Sequence, residues 1–362
     1  MTARLLMTML LAACSVPAAW AADYPAPVEG NFVVRDFRFA SGEALPELRL
    51  HYRTLGTPQR DAAGVIRNAV LIIHGTSGSG AQFLRPEFAG ELFRPGGALD
   101  ATRYYLILPD ALGHGQSSKP SDGLRARFPA YGYRDMVEAQ RRLLVDGLGV
   151  THLRLLMGTS MGGMHTWLWG GLHPEFMDAL LPLASLPTQI AGRNRAWRRT
   201  LMDAIRKDPA WQQGDYAAQP PCLRTAGAML YLMSSNSLLR QQQSPTLVEA
   251  DTAFDRYIDA FVQRSDANDL LYQVAASRDY DPAPLLERIR APLVAINFAD
   301  DLINPPELGI LEPAIRRVPK GRAVTVPAGP TTQGHGTHTL AAVWQAELRA
   351  LLQASATQGA TP

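Results

Sequence analysis

The sequence predicts an α/β fold: a mostly parallel central sheet with helices on both faces and one helical insertion. Three observations carry that expectation. Short, unbroken apolar runs such as NAVLIIHG (68–75) and YYLILPD (104–110) have the texture of strands buried on both faces. Helical segments alternate with these runs, as the crossover connections of a parallel sheet require. Between residues 187 and 286 the alternation stops, and helical patterns replace buried-strand runs.

In chain order, the first segment reads as a leader, residues 1–21. Arg4 supplies a positive start, LLMTMLLAACSVPA an apolar stretch too short to span a bilayer, and Ala19-Trp20-Ala21 a small-x-small cleavage site. This predicts a periplasmic or secreted protein. LAAC, ending at Cys14, offers lipoprotein anchoring as the alternative. Once Cys14 leaves with the leader, Cys222 is the one remaining cysteine and no internal disulfide is expected.

NFVVRDFRFASG and LPELRLHYRTLG (31–42 and 45–56) then read as an antiparallel hairpin that opens a first core segment, 30–186. The runs at 68–75 and 104–110 follow, then RLLMGTS (154–160) and ALLPLAS (179–185). In RDMVEAQRRLLVDGLG (134–149), Met136, Val137, Ala139, Leu143 and Leu144 recur at helical spacing and glycines close the segment. The insertion, 187–286, holds candidate helices around AWRRTLMDAIRKD, CLRTAGAMLYLMSS and TAFDRYIDAFVQRS and is expected to act as a lid. PLVAINFAD (292–300) and AVTVPA (323–328) resume the sheet in a second core segment, 287–356, which ends in the helix LAAVWQAELRALL.

At 362 residues and 46% hydrophobic, the chain can bury a sizeable core. Its net charge of +2, with acids and bases interspersed, gives no electrostatic case for a nucleic-acid partner.

The chemistry concentrates in GTSMG (158–162), a Gly-x-Ser-x-Gly placed after a buried strand and before a helical segment. In that context Ser160 is a nucleophile on a strained elbow, and the flanking glycines remove Cβ atoms that would collide there. A serine hydroxyl needs a base. Of eight histidines, His51, His152, His165 and His173 lie on strands or helices and read as structural. His335, in the loop TQGHGTH between the last strand and the last helix, is the expected base, with His338 as runner-up. Asp301, in FADDLINPP after a strand, is the expected acid, with Asp300 the alternative acid; the plainer reading of Asp300 is a carboxylate capping the following turn. The N–H of Met161 and one from Gly75 or Thr76, in HGTSGSG (74–80), are the expected oxyanion donors. That loop lacks the lysine of a phosphate-binding P-loop. Histidine, cysteine and acid spacing points to no metal site, and no cofactor is expected. In GRNRAWRR the arginines include Arg195 and Arg198, candidates to pair with a substrate carboxylate; the plainer alternative is a solvated face with Trp197, Leu201 and Ile205 packed inward.

With these motifs in place, the sequence resembles the homoserine O-acetyltransferase branch of the α/β-hydrolase superfamily. The likeness rests on LHYRTLGT, NAVLIIHGTSGS, FPAYGYRDMVEAQRRLLVDGLGV with GTSMGGMHTWLWG, DAIRKDPAWQQGDY, DDLINPPE and the Gly-His of TQGHG. It implies an α/β-hydrolase fold with Ser160, Asp301 and His335 as nucleophile, acid and base. The chain departs from the branch in two places. Gly336 stands where the resemblance implies an aspartate that helps hold homoserine, and LPDALGHGQSSKP is closer to general esterases and lipases. Acyl-CoA donors are cytoplasmic, so export favours water as acceptor. The expected function is an exported, cofactor-free serine esterase acting on a small-molecule ester, its oligomeric state open, a homodimer included. The alternatives are an acyltransferase of the same branch and a non-catalytic binding protein of this fold.

Overall fold

The computed structural model describes residues 23–356; the expected leader and Cys14 lie outside the described residues. Eight strands form one sheet: β1 (Val28–Arg38), β2 (Ala44–Leu55), β3 (Ala69–Ile73), β4 (Tyr105–Pro109), β5 (Leu155–Thr159), β6 (Leu180–Leu183), β7 (Leu293–Phe298) and β8 (Gly321–Val326). Their spatial order is β1-β2-β4-β3-β5-β6-β7-β8. The hairpin β1–β2 is antiparallel and adds to β4 antiparallel, while every pairing from β4 to β8 is parallel.

Strand periodicity divides the core. Successive side chains of a strand point to opposite faces. Accordingly Leu71 and Ile73 of β3 join one buried cluster, with Trp167, Met136 and Tyr133, and Val70 and Ile72 join another, with Phe88 and Trp344. Helices α1 (Tyr133–Arg142) and α2 (Met161–Leu172) cover the first face. The expected helix at 134–149 is α-helical only to Arg142; residues Leu143–Gly147 continue as a wider π turn.

Between β6 and β7 lie α3 (Gly192–Lys207), α4 (Cys222–Ser234), α5 (Ser237–Gln243), α6 (Leu247–Arg264) and α7 (Ala267–Ala275); all but α5 share a separate apolar cluster containing Trp197, Leu201, Leu223, Phe261 and Leu270. Sequence periodicity marks α3, α4 and α6 but passes over α5 and α7, whose starts are side-chain caps. Asn236 accepts from the Leu239 N–H, and Asp266 accepts from the Asn268 and Asp269 N–H groups. After α8 (Leu311–Ile315) and β8, the final helix α9 (Ala341–Ala354) covers the second face through Trp344, Leu348 and Leu351. Among the described residues no helix is long and apolar enough to cross a membrane.

Candidate active site

Parallel strands of such a sheet all end on one edge, which is where α/β folds assemble their sites. At that edge β5 runs into α2 through a single residue, Ser160, held at φ 54°, ψ −112°. A non-glycine residue at such an angle costs about 1–3 kcal/mol, supported by the surrounding structure. The flanking glycines make the turn feasible. A Cβ on Gly158 would lie 2.3 Å from the backbone of Gly162, and one on Gly162 would lie 2.0 Å from the Ile73 carbonyl oxygen. The Ser160 N–H is tied to the Leu183 carbonyl at 2.9 Å. Met161, as the first helical residue, has an N–H with no acceptor within its own helix.

The loop from β8 to α9 brings His335 over this serine. His335 Nε2 is 2.8 Å from Ser160 Oγ, and its Nδ1 is 2.7 Å from Asp301 Oδ2. Asp301 follows β7 and is 1% exposed. Its Oδ1 accepts from the Ile303 N–H at 2.8 Å and its Oδ2 from Asn304 Nδ2 at 3.2 Å. Burial alone would push this carboxyl up. The adjacent His335 and the hydrogen bonds from His335, Ile303 and Asn304 together outweigh it and hold the carboxyl below the ordinary aspartate range. An ionised Asp301 can only accept, so His335 carries its proton on Nδ1 and turns the Nε2 lone pair toward the Ser160 hydroxyl.

The two aspartates are distinguished by their partners. Asp300 does not cap the turn after it; Asp301 does, through Ile303. Instead, Asp300 Oδ2 accepts from Thr332 Oγ1 at 2.8 Å, the Gly334 N–H at 2.9 Å and Asn236 Nδ2, fastening the loop that carries His335. His338 lies in the short turn before α9, with its ring 5.3 Å from that of His335 and no contact to Ser160. Burial, with the neighbouring His335 adding to it, pushes His338 down to about 3, so it stays neutral.

The loop after β3 closes the other side. A Cβ on Gly75 would sit 3.3 Å from Ser160 Cβ, which measures how closely this backbone passes the serine. His74 sets the direction of the Gly75–Thr76 peptide. Its Nε2 accepts from the Ala111 N–H at 2.9 Å, so its Nδ1 bears the proton and donates to the Gly75 carbonyl at 2.8 Å. The Gly78 N–H reaches the same carbonyl at 3.1 Å. In a trans peptide the Thr76 N–H points opposite to that carbonyl. It finds no backbone acceptor among the described residues.

A buried acid that sequence reasoning passed over anchors this loop. Asp110, 1% exposed, accepts from the Gly80 N–H at 2.7 Å, Arg53 Nη1 at 3.1 Å and the Gln116 N–H at 2.9 Å, with His51 Nδ1 3.1 Å away. The one signal for it was an aspartate ending a wholly apolar strand. Two further histidines have structural partners: His165 meets Gln140 at 3.1 Å and His152 meets Asp178 at 2.7 Å.

Residues 68–329 match the model of the α/β-hydrolase fold family. The chain belongs to that family. Its sequence is 32% identical over 294 residues to a protein of Methanothermobacter thermautotrophicus named "Probable acyltransferase", covering 81% of this chain and 88% of that one. It is 32% identical over 319 residues to the homoserine O-acetyltransferase of Pelobacter propionicus, covering 77% and 83%. Within the α/β-hydrolases the chain therefore falls in the homoserine O-acetyltransferase-like branch. Among solved structures, esterase E22 superposes with a TM-score of 0.79 at 20% identity, over 90% of this chain and all of that one. The homoserine O-acetyltransferase from Bacillus anthracis gives the same TM-score and identity over 91% and 98%. At that identity the superpositions show a shared fold.

In this α/β-hydrolase the segment between β6 and β7 reaches the site's surroundings through Asn236, which donates to Asp300, and Gln273, which accepts from Ser77 Oγ at 3.1 Å. Arg193 is exposed and donates to the Leu302 carbonyl at 3.3 Å, and Arg199 pairs with Asp203 at 2.8 Å, so these two follow the plainer reading of a solvated face. Arg195 is half-buried. Arg198 departs from that reading and is only 3% exposed, buried with Trp197, Leu201 and Ile205. A polar cleft of about 460 Å³ opens beside the Ser77–Gly78–Ser79 backbone, bordered by Lys119, Arg264 and Gln273. A mainly apolar one of about 320 Å³ lies behind Asp301, bordered by Met164, Leu186, Ile190 and Ile303.

Proposed function

We propose that this protein is a serine hydrolase that cleaves a carboxylic ester through an acyl-serine intermediate. The reading is carried by the continuous hydrogen-bonded chain from Ser160 Oγ through His335 to Asp301, with links of 2.8 and 2.7 Å. Ser160 Oγ attacks the acyl carbon while its proton passes to His335 Nε2, and Asp301 stabilises the imidazolium. The carbonyl π pair moves to oxygen, and the N–H groups of Met161 and Thr76 receive that charge; the direction of the Gly75 carbonyl favours Thr76 over Gly75 as the second donor. Collapse of the adduct breaks the ester C–O bond, and the alcohol leaves with the proton from His335. Water, deprotonated by the same Nε2, then attacks the acyl carbon, releasing the acid and returning the proton to Ser160. The inserted helices act as the lid of this site.

Export through residues 1–21 supports water as the final acceptor, because acyl-CoA donors are cytoplasmic. Gly336 supports it too, standing next to His335 at the position where the resemblance to the homoserine branch implies an aspartate. An acyltransferase reading is favoured by the sequence relatives, which include a run of homoserine O-acetyltransferases. The experiment is a fluorophosphonate-labelling assay on the mature protein and its Ser160→Ala variant, followed by an ester, lactone and amide screen. Labelling that depends on Ser160, with ester turnover and no acceptor requirement, is the expected result. Consumption of acetyl-CoA only when an acceptor is added establishes the transferase instead, and full ester turnover by Ser160→Ala refutes the mechanism.

A further inference from the structure

The arginine that the inserted helix buries has no acid to neutralise it. Arg198 donates from Nε to Asn194 Oδ1 at 2.9 Å, one turn back on its own helix, and from Nη1 to Ser277 Oγ at 3.3 Å. A guanidinium has five N–H donors, so three are unspent on these partners. The face of Trp197, 4.7 Å from Arg198 Cζ, offers the cation some compensation. Arg199 on the same helix has its aspartate, whereas no ion pair joins Arg198 among the described residues. Arg195, one turn away, adds positive potential rather than relieving it. The carboxylate facing this region, Asp279, is already occupied by the N–H groups of Tyr133 and Arg134 at 2.8 and 3.1 Å. A desolvated cation without a counter-charge is costly, so a counter-charge is the missing component.

Two further polar atoms face the same place. The Tyr133 hydroxyl is buried against the side chains of Arg198 and Thr76, close enough to couple to both but short of full hydrogen-bonding geometry with either. Thr76 Oγ1 is likewise buried without a partner. Thr76 links this cluster to the reacting centre, because its backbone follows the Gly75 segment that passes Ser160.

We propose that Arg198, Tyr133 and Thr76 form an anion subsite that binds a carboxylate carried by the ester substrate. The proposal rests on the serine-hydrolase reading and narrows it to a substrate class. The planar guanidinium fork matches a carboxylate in two parallel N–H···O bonds, and the two hydroxyls complete its lone pairs. The carboxylate sits on the acyl portion, as in a hemiester of a short dicarboxylic acid, or on the alcohol portion, as in an O-acyl hydroxy acid.

The test compares monomethyl glutarate with dimethyl glutarate, and O-acetyl glycolate with its methyl ester, for the mature protein and for Arg198→Met and Arg198→Lys. The wild type is expected to prefer one charged ester of the two pairs by about tenfold to a hundredfold in kcat/KM; the preferred pair identifies the portion that bears the carboxylate. Arg198→Met abolishes that ratio, and Arg198→Lys restores part of it. Equal turnover of charged and neutral esters by the wild type, or a ratio unaltered in Arg198→Met, overturns the subsite. A melting curve with added monomethyl glutarate, taken on Ser160→Ala with and without Arg198→Met, reads binding without chemistry. A rise in Tm that needs Arg198 supports the subsite even if fluorophosphonate leaves Ser160 unlabelled, which would sink the hydrolase reading alone. Labelling without any charge preference or Tm rise sinks the subsite alone.

Discussion

Replacing Asp301 by asparagine tests the proposed proton relay at its least exposed point. The two carboxylate oxygens have different duties: Oδ1 accepts from the Ile303 N–H, while Oδ2 faces His335 Nδ1 and Asn304 Nδ2. An asparagine has one acceptor oxygen. Placing it at the Oδ1 position keeps the turn after β7, and the amide NH2 then faces His335. A donor there selects the imidazole tautomer with its proton on Nε2, so the lone pair needed by Ser160 turns away. Correct geometry with the wrong tautomer costs about 10⁴ in kcat in serine proteases, or about 5.5 kcal/mol at about 1.4 kcal/mol per factor of ten. The fold should tolerate the change because the turn bond survives. The assay is the rate of an activated ester and of fluorophosphonate labelling for wild type and Asp301→Asn, alongside a thermal melt. A variant that melts like the wild type and retains more than a tenth of its activity refutes the tautomer argument.

Four further outcomes follow from the geometry. Gly158→Ala puts a methyl group 2.3 Å from the Gly162 backbone; a loss of about 3 kcal/mol or more in urea unfolding, or failure to fold, is expected. Buried His165 and His338 are both pushed down to about 3 by burial first and by neighbouring histidines second, against 6.5 when unfolded. Below pH 6.5 the unfolded chain takes up protons that the folded chain refuses, so stability falls as pH falls from 6.5 toward 3; denaturant titrations should show about 2 kcal/mol lost per histidine at pH 5. Asp269 carries the opposite sign: burial raises its carboxyl to about 6, so its contribution is present below 3.8 and is lost as pH rises through 6. Asp269→Asn should flatten that part of the stability–pH curve. Asp110→Ala leaves Arg53 with Glu29 as its remaining acid and leaves the Gly80 and Gln116 N–H groups without their acceptor; a loss of about 1–3 kcal/mol is expected by chemical unfolding.

The sheet was legible because it is built from runs that have to be apolar on both faces. NAVLIIHG, YYLILPD and PLVAINFAD cannot alternate with polar residues when Leu71 and Ile73 feed one core and Val70 and Ile72 the other. Ser160, Asp301 and His335 were visible because each follows a strand, and strand ends meet on one edge. What stayed hidden depends on contacts between segments distant in sequence. Asp110, just past β4, ties two loops and strand β2 together, and nothing in LPDALG distinguishes it from a turn aspartate. Arg198 shows the same limit from the other direction. Among four arginines in eight residues, helical spacing alone does not select the one that is buried, because Trp197 beside it defines the inward face only approximately. Asp300 and Asp301, adjacent in the chain, take different partners on one loop: Asp300 holds its Gly334 N–H and Asp301 its His335 ring.

The grip on Asp300 has a mechanical corollary. One carboxylate oxygen fastens Thr332 and Gly334, which hold the His335 loop, and also Asn236, which starts a helix of the insertion. A second strap, from Arg193 to the Leu302 carbonyl, joins the same insertion to the segment just past Asp301. The His335 loop is thus tied to the insertion through Asp300 as well as to the sheet. Pulling those helices away would strip the Asn236 donor from Asp300, a carboxylate beside the relay. On the proposed mechanism, a movement of the insertion that admits substrate would also disturb the proton relay, because Asp300 ties the two together.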